Sequence, residues 1–133
     1  MRALFAAHSG LRYLVLLAGL VAVIYFALGL LQKRPYTRAV RTVGAIFGGL
    51  LDLQIVLGII LVAMGRYYPQ LIGHFVLMFL AAVVVHATLS VNRKRAEPGY
   101  KLPLIGVSVG LLLVVGGVLA IRPSLFFMTP MST

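Results

Sequence analysis

Four apolar stretches separated by short polar segments restrict what this chain can fold into. They cover roughly residues 11–31, 43–64, 71–91 and 104–121. Each is close to the ~20 residues that a helix needs to cross a ~30 Å hydrocarbon core. Hydrophobic residues make up 62% of the 133 residues, well above the ~45–50% apolar share of soluble domains. The pattern predicts an all-α integral membrane protein with a single membrane domain over residues 1–133.

The segments between the apolar stretches are short and contain prolines. Pro35, Pro69 and Pro98 lie between stretches, where a missing N–H leaves helical hydrogen bonding intact. Because short connections make successive helices antiparallel neighbours, we expect an up-down-up-down four-helix bundle. The segment before Leu11 either extends the first helix or lies along the membrane interface.

Basic residues are divided unevenly between the two ends of the predicted bundle. Eight lie in the connections from the first helix to the second and from the third to the fourth: Lys33, Arg34, Arg38, Arg41, Arg93, Lys94, Arg95 and Lys101. Four lie at the other end: Arg2, Arg12, Arg66 and Arg122. Since Lys and Arg are enriched in cytoplasmic loops, the sequence predicts both termini on the outer side. In a bacterial cytoplasmic (inner) membrane that side is the periplasm.

The composition excludes several kinds of chemistry. The absence of cysteine excludes disulfides, cysteine-ligated iron–sulfur clusters and thiolate nucleophiles. Asp52 and Glu97 are the only acids, which disfavours mechanisms that need paired carboxylates. The net charge of +10 is spread over short loops, which form no groove able to follow a nucleic-acid backbone. We expect the lipid bilayer and its headgroups, not nucleic acid, to meet these charges.

Two histidines interrupt the third apolar stretch, LIGHFVLMFLAAVVVHATLSV. Histidine inside a membrane helix is a functional-site hypothesis by default. His74 and His86 are twelve residues apart, which corresponds to about 18 Å along a helix and about 120° around it. They cannot ligate one metal ion together, so we expect them to have different roles.

His8, near the start of the first helix, is predicted to lie close in depth to His74. Two imidazoles on different helices at one level are typical of a b-type heme site. The pair is our first candidate for heme iron ligands, with one heme b per chain; interfacial anchoring by His8 and a helix–helix hydrogen bond by His74 are the alternatives. Met78 is expected either to line the pocket or to pack. Arg12 and Arg66 are candidates for binding the heme propionates.

The second stretch contains polar residues within GLLDLQIVLG, which places Asp52 and Gln54 near the middle of a helix. An unpaired carboxylate there is unfavourable. Because His86 is predicted at a similar depth, we expect a hydrogen bond or ion pair between Asp52 and His86. Asp52, Gln54 and His86 form a candidate proton relay or second shell around a cofactor. A static contact or a contact with another subunit is equally open. Heme ligation by His86 is a further alternative, although the chain has no fourth histidine to pair with it.

Glycines recur at helix-packing spacing, at Gly44 and Gly48, at Gly106 and Gly110, and in a glycine pair that ends at Gly117. Close helix approach is the favoured interpretation. Space for a flat cofactor is the alternative.

The segments HSGLRYLVL, GLLDLQIVLG and GHFVLMFLAAVVVHA resemble those of small four-helix bacterial membrane proteins described as cytochrome b-like. The resemblance implies heme b and electron transfer, carried here by His8 and His74, with His86 as a further candidate ligand. The chain differs from the larger diheme cytochromes b of respiratory complexes, which place two pairs of histidines on two helices.

The leading hypothesis is a heme-b membrane protein for electron transfer, or the anchor subunit of a redox complex, rather than a stand-alone enzyme. Quinol or a periplasmic redox partner would exchange electrons with it at the outer face. One alternative is a cofactor-free accessory subunit of a larger membrane complex. Another is a proton-conducting protein that uses Asp52 and His86. Pairing in a homodimer is geometrically open.

Overall fold

Four α-helices make up most of the described chain. The computed structural model describes residues 2–121. The helices are α1 (Arg2–Leu31), α2 (Arg38–Ala63), α3 (Leu71–Arg93) and α4 (Lys101–Leu119). All four are long and apolar enough to cross a membrane, and residues 2–121 contain no β-strand. The all-α prediction is confirmed. Arg122, which was counted among the basic residues at the outer end, lies outside the described residues.

The helices extend beyond the apolar stretches at three of their starts. α1 begins at Arg2 and runs without interruption to Leu31, so the segment before Leu11 extends the helix. α2 and α4 begin at Arg38 and Lys101, a few residues ahead of their apolar stretches. Hydropathy marks where side chains are apolar, whereas backbone hydrogen bonding continues into polar flanks. The longer α1 carries His8 as a regular helical residue.

Each helix packs against two others. α1 contacts α2 and α4, and α3 contacts α2 and α4. Phe26 and Phe47 are the largest fully buried side chains and lie in one core cluster with residues of all four helices. Many large apolar side chains also lie on the outer surface, Leu31 and Leu112 among them. An apolar exterior around an apolar core is what a helix group surrounded by lipid requires.

Glycines bring neighbouring helices close together. A Cβ added at Gly44 would lie 3.1 Å from Leu89 on α3. One added at Gly106 or Gly110 would collide with Thr88 or Val85 of α3. Small residues of this kind allow membrane helices to approach closely, and these contacts support the packing interpretation of the glycine pattern.

Tyr100 joins the end of α1 to the start of α4. Its ring lies directly over Gly29, and its hydroxyl donates a hydrogen bond to the Pro35 carbonyl at 3.1 Å. The rings of Phe26 and Tyr36 lie 6.4 and 6.1 Å away, centroid to centroid. Burial raises the pKa of Tyr100, which keeps the phenol protonated as a donor over a wider pH range. This aromatic cluster fixes one end of the helix group.

Gly29→Ala should destabilise this end because the added methyl would meet a ring that has no room to move. We expect a loss of about 1–3 kcal/mol in the free energy of unfolding, as for other overpacked cores. Gly10→Ala is the matched control on the same helix, since nothing lies within 4 Å of a Cβ there. Reversible unfolding in detergent micelles measures both. Equal stability of the two variants would contradict the packing described for Tyr100.

Candidate functional site

A cavity of about 280 Å³ lies among the four helices, next to the first turns of α1 and α3. Its volume is close to the lower end of the ~300–1,000 Å³ typical of small-molecule sites. Its walls are mainly apolar and come from α1, α2, α3 and α4. The polar side chains that line it are His8, Ser9, Arg12, Gln54, Arg66, Tyr68 and His74.

The cavity brings together the five side chains that the sequence analysis assigned to a heme site. α1 supplies His8 and Arg12, α3 supplies His74 and Met78, and the segment between α2 and α3 supplies Arg66. Residues four apart share a helix face, so His8 with Arg12, and His74 with Met78, point to one side of their helices. The candidate heme ligands therefore lie on the walls of one cavity.

His74 is oriented by the end of α4. Its Nδ1 donates a hydrogen bond to the Gly117 carbonyl oxygen at 2.8 Å. α4 ends at Leu119, so the Gly117 carbonyl is one of the last four in the helix. These carbonyls accept no hydrogen bond from an N–H of the same helix. A carbonyl only accepts, hence Nδ1 carries the proton and the lone pair of the neutral ring is on Nε2. Histidines that ligate metals through Nε2 are commonly oriented by such a bond.

Gly117 allows α3 side chains to reach the backbone of α4. A Cβ at Gly117 would collide with the Met78 methyl group and would lie 3.7 Å from His74 Nδ1. At the preceding Gly116 the nearest atom, on Leu77, is 3.8 Å away. The two glycines are therefore not equivalent, and Gly117 is the one that belongs to the site.

Two residues of α2 hold His8. The Gln54 side-chain amide donates a hydrogen bond to the His8 carbonyl oxygen at 2.6 Å. One turn further, a Cβ at Gly58 would lie 3.2 Å from Cε1 of the His8 ring. The other amide atom, Gln54 Oε1, is buried and has no hydrogen-bond partner among residues 2–121. A buried acceptor of this kind needs a donor from a ligand or an ordered water.

Two guanidinium groups face the cavity. Arg12 is only 4% exposed, and it donates a hydrogen bond to the Tyr13 hydroxyl at 2.9 Å. The Arg66 guanidinium carbon lies 3.7 Å from the centroid of the Phe5 ring, a cation–π contact. None of the described residues that line the cavity is acidic. The cavity thus carries positive charge in apolar surroundings.

Asp52 and His86 form a separate pair on the outside of α2 and α3. His86 Nε2 donates a hydrogen bond to Asp52 Oδ1 at 2.8 Å, and the side chains of His86 and Asp52 are 51% and 50% exposed. The imidazole lies against Gly48, where a Cβ would be 3.2 Å from Cε1. This contact was expected from the sequence, but neither side chain lines the cavity.

Gln54 does not join the Asp52–His86 pair. Two residues along a helix correspond to a rotation of about 200°, so Gln54 points into the helix group where Asp52 points out. The structure thus groups Gln54 with His8.

Phe5, Ser9, Gly58 and Tyr68 are among the cavity-lining residues that were not assigned to a site from the sequence. The polar residue Ser9 directly follows His8 in the sequence, and it is buried in the structure. The contacts of the other three depend on the rotation of each helix, which apolar stretches without strong periodicity do not specify.

No protein-family model, curated protein or solved structure matches this chain. The assignment of the site therefore depends on its geometry. Within residues 2–121 no group of three or more His, Asp or Glu side chains could hold a metal ion. Two imidazoles at one cavity suit a metal whose other ligands come with it, as the porphyrin nitrogens do in heme.

A double-mutant cycle should distinguish the two groups of polar residues. Combining Asp52→Ala with His86→Ala should give a coupling energy of about 0.6 kcal/mol and at most about 1.7 kcal/mol, the average and the maximum for hydrogen bonds between membrane helices. Combining Gln54→Ala with His86→Ala should give additive effects, since these side chains are on different sides of α2. Reversible unfolding in micelles or bicelles provides the four free energies of each cycle. Strong coupling between Gln54 and His86 would contradict the placement of Gln54.

Proposed function

We propose that the chain is a heme-b membrane protein for electron transfer, acting alone or as the anchor subunit of a redox complex. His8 and His74 would hold the iron, with one heme per chain. The observation that carries the proposal is that both imidazoles line one cavity, and that the Gly117 carbonyl fixes the His74 tautomer with the lone pair on Nε2. The small four-helix cytochrome b-like proteins that the sequence resembles are the corresponding class.

The residues of the cavity fit the chemistry of heme b. Imidazole nitrogen is a common axial ligand of heme iron. Arg12 and Arg66 supply positive charge for the two propionates, because guanidinium groups bind carboxylates in a bidentate manner. Apolar walls, Met78 among them, suit the faces of a porphyrin. The buried Gln54 Oε1 offers an acceptor to a water or a ligand donor.

Heme, when bound, supplies one-electron redox chemistry. The contribution of the chain is to orient the ligands and to set the surrounding charge. Gly117 holds His74, and Gln54 with Gly58 holds His8. Two arginines in apolar surroundings stabilise added negative charge more strongly than they would in water, so they favour uptake of an electron.

Quinol is the proposed lipid-soluble partner, with a periplasmic redox protein as the other. Ile59 of α2 and Phe79 of α3 line the cavity and are also exposed on the outer surface. The cavity wall therefore reaches the surface between α2 and α3. A lipid-soluble donor in the bilayer can approach the redox site along this route without crossing an aqueous phase.

The proposed arrangement in the membrane is an up-down-up-down bundle with both termini on the outer side of a bacterial inner membrane. Contacts between opposite helix ends support it: Gly29, late in α1, lies against Tyr100 before α4, and Gly58, late in α2, lies against His8, early in α1. The distribution of basic residues supports the orientation. In this arrangement the cavity lies in the outer half of the bilayer.

The protein expressed with heme available should show a Soret band, and after dithionite reduction the α band of a low-spin b-type heme. A pyridine hemochrome assay should give one heme per chain. His74→Ala should abolish the low-spin spectrum because it removes an axial ligand. His86→Ala is the matched control and should leave the spectrum unchanged, since His86 is outside the cavity.

Two results would contradict the proposal in different ways. A purified, folded protein without a Soret band would favour the cofactor-free accessory subunit. Loss of the low-spin spectrum in His86→Ala but not in His74→Ala would move the heme away from this cavity. Retained helical circular dichroism in each variant shows that the spectrum reports on ligation and not on unfolding.

The orientation can be tested with single cysteines because the chain contains none. Tyr67→Cys, between α2 and α3, should react with a membrane-impermeant maleimide added outside intact spheroplasts. Glu97→Cys, between α3 and α4, should react only after the membrane is permeabilised. The opposite labelling pattern would place the termini in the cytoplasm.

A further inference from the structure

A half-exposed polar pair lies deep within the membrane-spanning length of α2. Asp52 follows Arg38 by fourteen residues and precedes Ala63 by eleven, which corresponds to about 21 Å and 16 Å along the helix. His86, its partner, is on the outside of α3 and is equally exposed. In a bilayer these two side chains would face hydrocarbon unless protein covers them.

Lipid is a poor environment for this pair. The hydrogen bond at 2.8 Å joins Nε2 to Oδ1, and the Asp52 side chain remains half-exposed. An aspartate side chain is too short to reach either interface from this depth, unlike the long side chains of lysine and arginine. Ionisable residues in membrane helices almost always face protein or a water-filled cavity. Their exposure therefore indicates a missing protein contact.

The surface around the pair is suited to close helix packing. Ala45 and Gly49 are exposed on the same side of α2 at the spacing of a small-xxx-small motif. Nothing lies within 4 Å of a Cβ placed on Gly49. Val56 and Val83 continue the exposed surface on α2 and α3. We call the surface formed by Ala45, Gly49, Asp52, Val56, Val83 and His86 the Asp52 face.

We propose that a second copy of this chain covers the Asp52 face in a two-fold symmetric dimer. Such an interface joins the same surface of both copies, so each copy brings one carboxylate and one imidazole to the other. With Nε2 donating to Asp52 of its own copy, an imidazolium can donate its Nδ1–H to the Asp52 carboxylate of the partner copy. The two imidazolium and two carboxylate groups then balance in charge. An apolar helix of another protein would leave the same polar atoms without partners.

The dimer and the proposed heme can be tested separately. Asp52, His86 and Gly49 do not line the cavity. A protein that dimerises without heme would support the dimer and contradict the heme proposal. A heme-loaded monomer would do the opposite.

The first test measures dimerisation in liposomes as the protein is diluted in lipid, by photobleaching steps or energy transfer. Gly49→Leu should weaken the dimer at least tenfold, because its side chain fits the monomer but blocks the approach of a second α2. Gly73→Leu is the matched control: nothing lies within 4 Å of a Cβ at Gly73, which is an exposed position near the start of α3. It should dimerise like the unmodified chain.

The second test uses cysteine crosslinking and does not depend on a bulky substitution. With copper phenanthroline as oxidant, Gly49→Cys should form a disulfide-linked dimer and no larger species, because a two-fold interface is closed. A disulfide needs Cα atoms within ~7 Å, so Gly73→Cys should remain monomeric. Both proteins retain the Asp52–His86 pair.

Three results would overturn the proposal. The first is a monomer at every dilution of the unmodified chain. The second is a dimer that Gly73→Leu disrupts and Gly49→Leu does not, which would place the interface elsewhere. The third is crosslinking of Gly49→Cys in native membranes only to a different protein, which would make the Asp52 face the docking surface of a larger complex.

Discussion

Hydrocarbon offers no hydrogen bonds, and this constraint explains where the polar side chains of the apolar helices lie. The imidazole of His74 donates to the Gly117 carbonyl, and the amide of Gln54 donates to the His8 carbonyl. Both bonds connect two helices, and both use a backbone oxygen as the acceptor. They therefore fix the position of one helix on another as well as satisfying a polar atom. The cavity lies next to both of these hydrogen bonds, and His8 and His74 are among the residues that line it.

The two ends of the helix group differ in how they are filled. At one end the ring of Tyr100 occupies the space above Gly29 and packs with other aromatic rings. At the other end Gly58 and Gly117 admit imidazole rings instead, and the space between them remains as the cavity. Glycine allows close approach in both cases, but only at the cavity end does it admit imidazole rings. The filled end can therefore stabilise the fold while the cavity end remains available for the proposed ligand.

Some of the site was predictable from the sequence and some was not. Counting residues along two apolar stretches was sufficient to place His8 and His74 near one level, since helical rise is fixed. Counting also brought Asp52 and His86 together. The side of α2 to which Gln54 belongs was not predictable, because both faces of the helix are apolar and its periodicity is weak. The roles of Gly117 and Gly58 depend on helix rotation in the same way. The exposure of the Asp52 side chain was not predictable either, because it depends on how the helices pack and hydropathy does not report helix rotation.

α2 is the helix on which both sites depend. Its inner face carries Gln54 and Gly58, which hold His8, and its outer face carries Gly49 and Asp52. A helix is stiff, so a protein contact on the outer face restricts the rotation that would move Gln54 away from the His8 carbonyl. In a dimer formed through the Asp52 face, the α2 helices of the two copies would pack against each other. Each copy would keep its own cavity. Dimerisation would also cover the polar pair that lipid cannot accommodate, so the same contact would satisfy Asp52 and stabilise the wall of the proposed heme site.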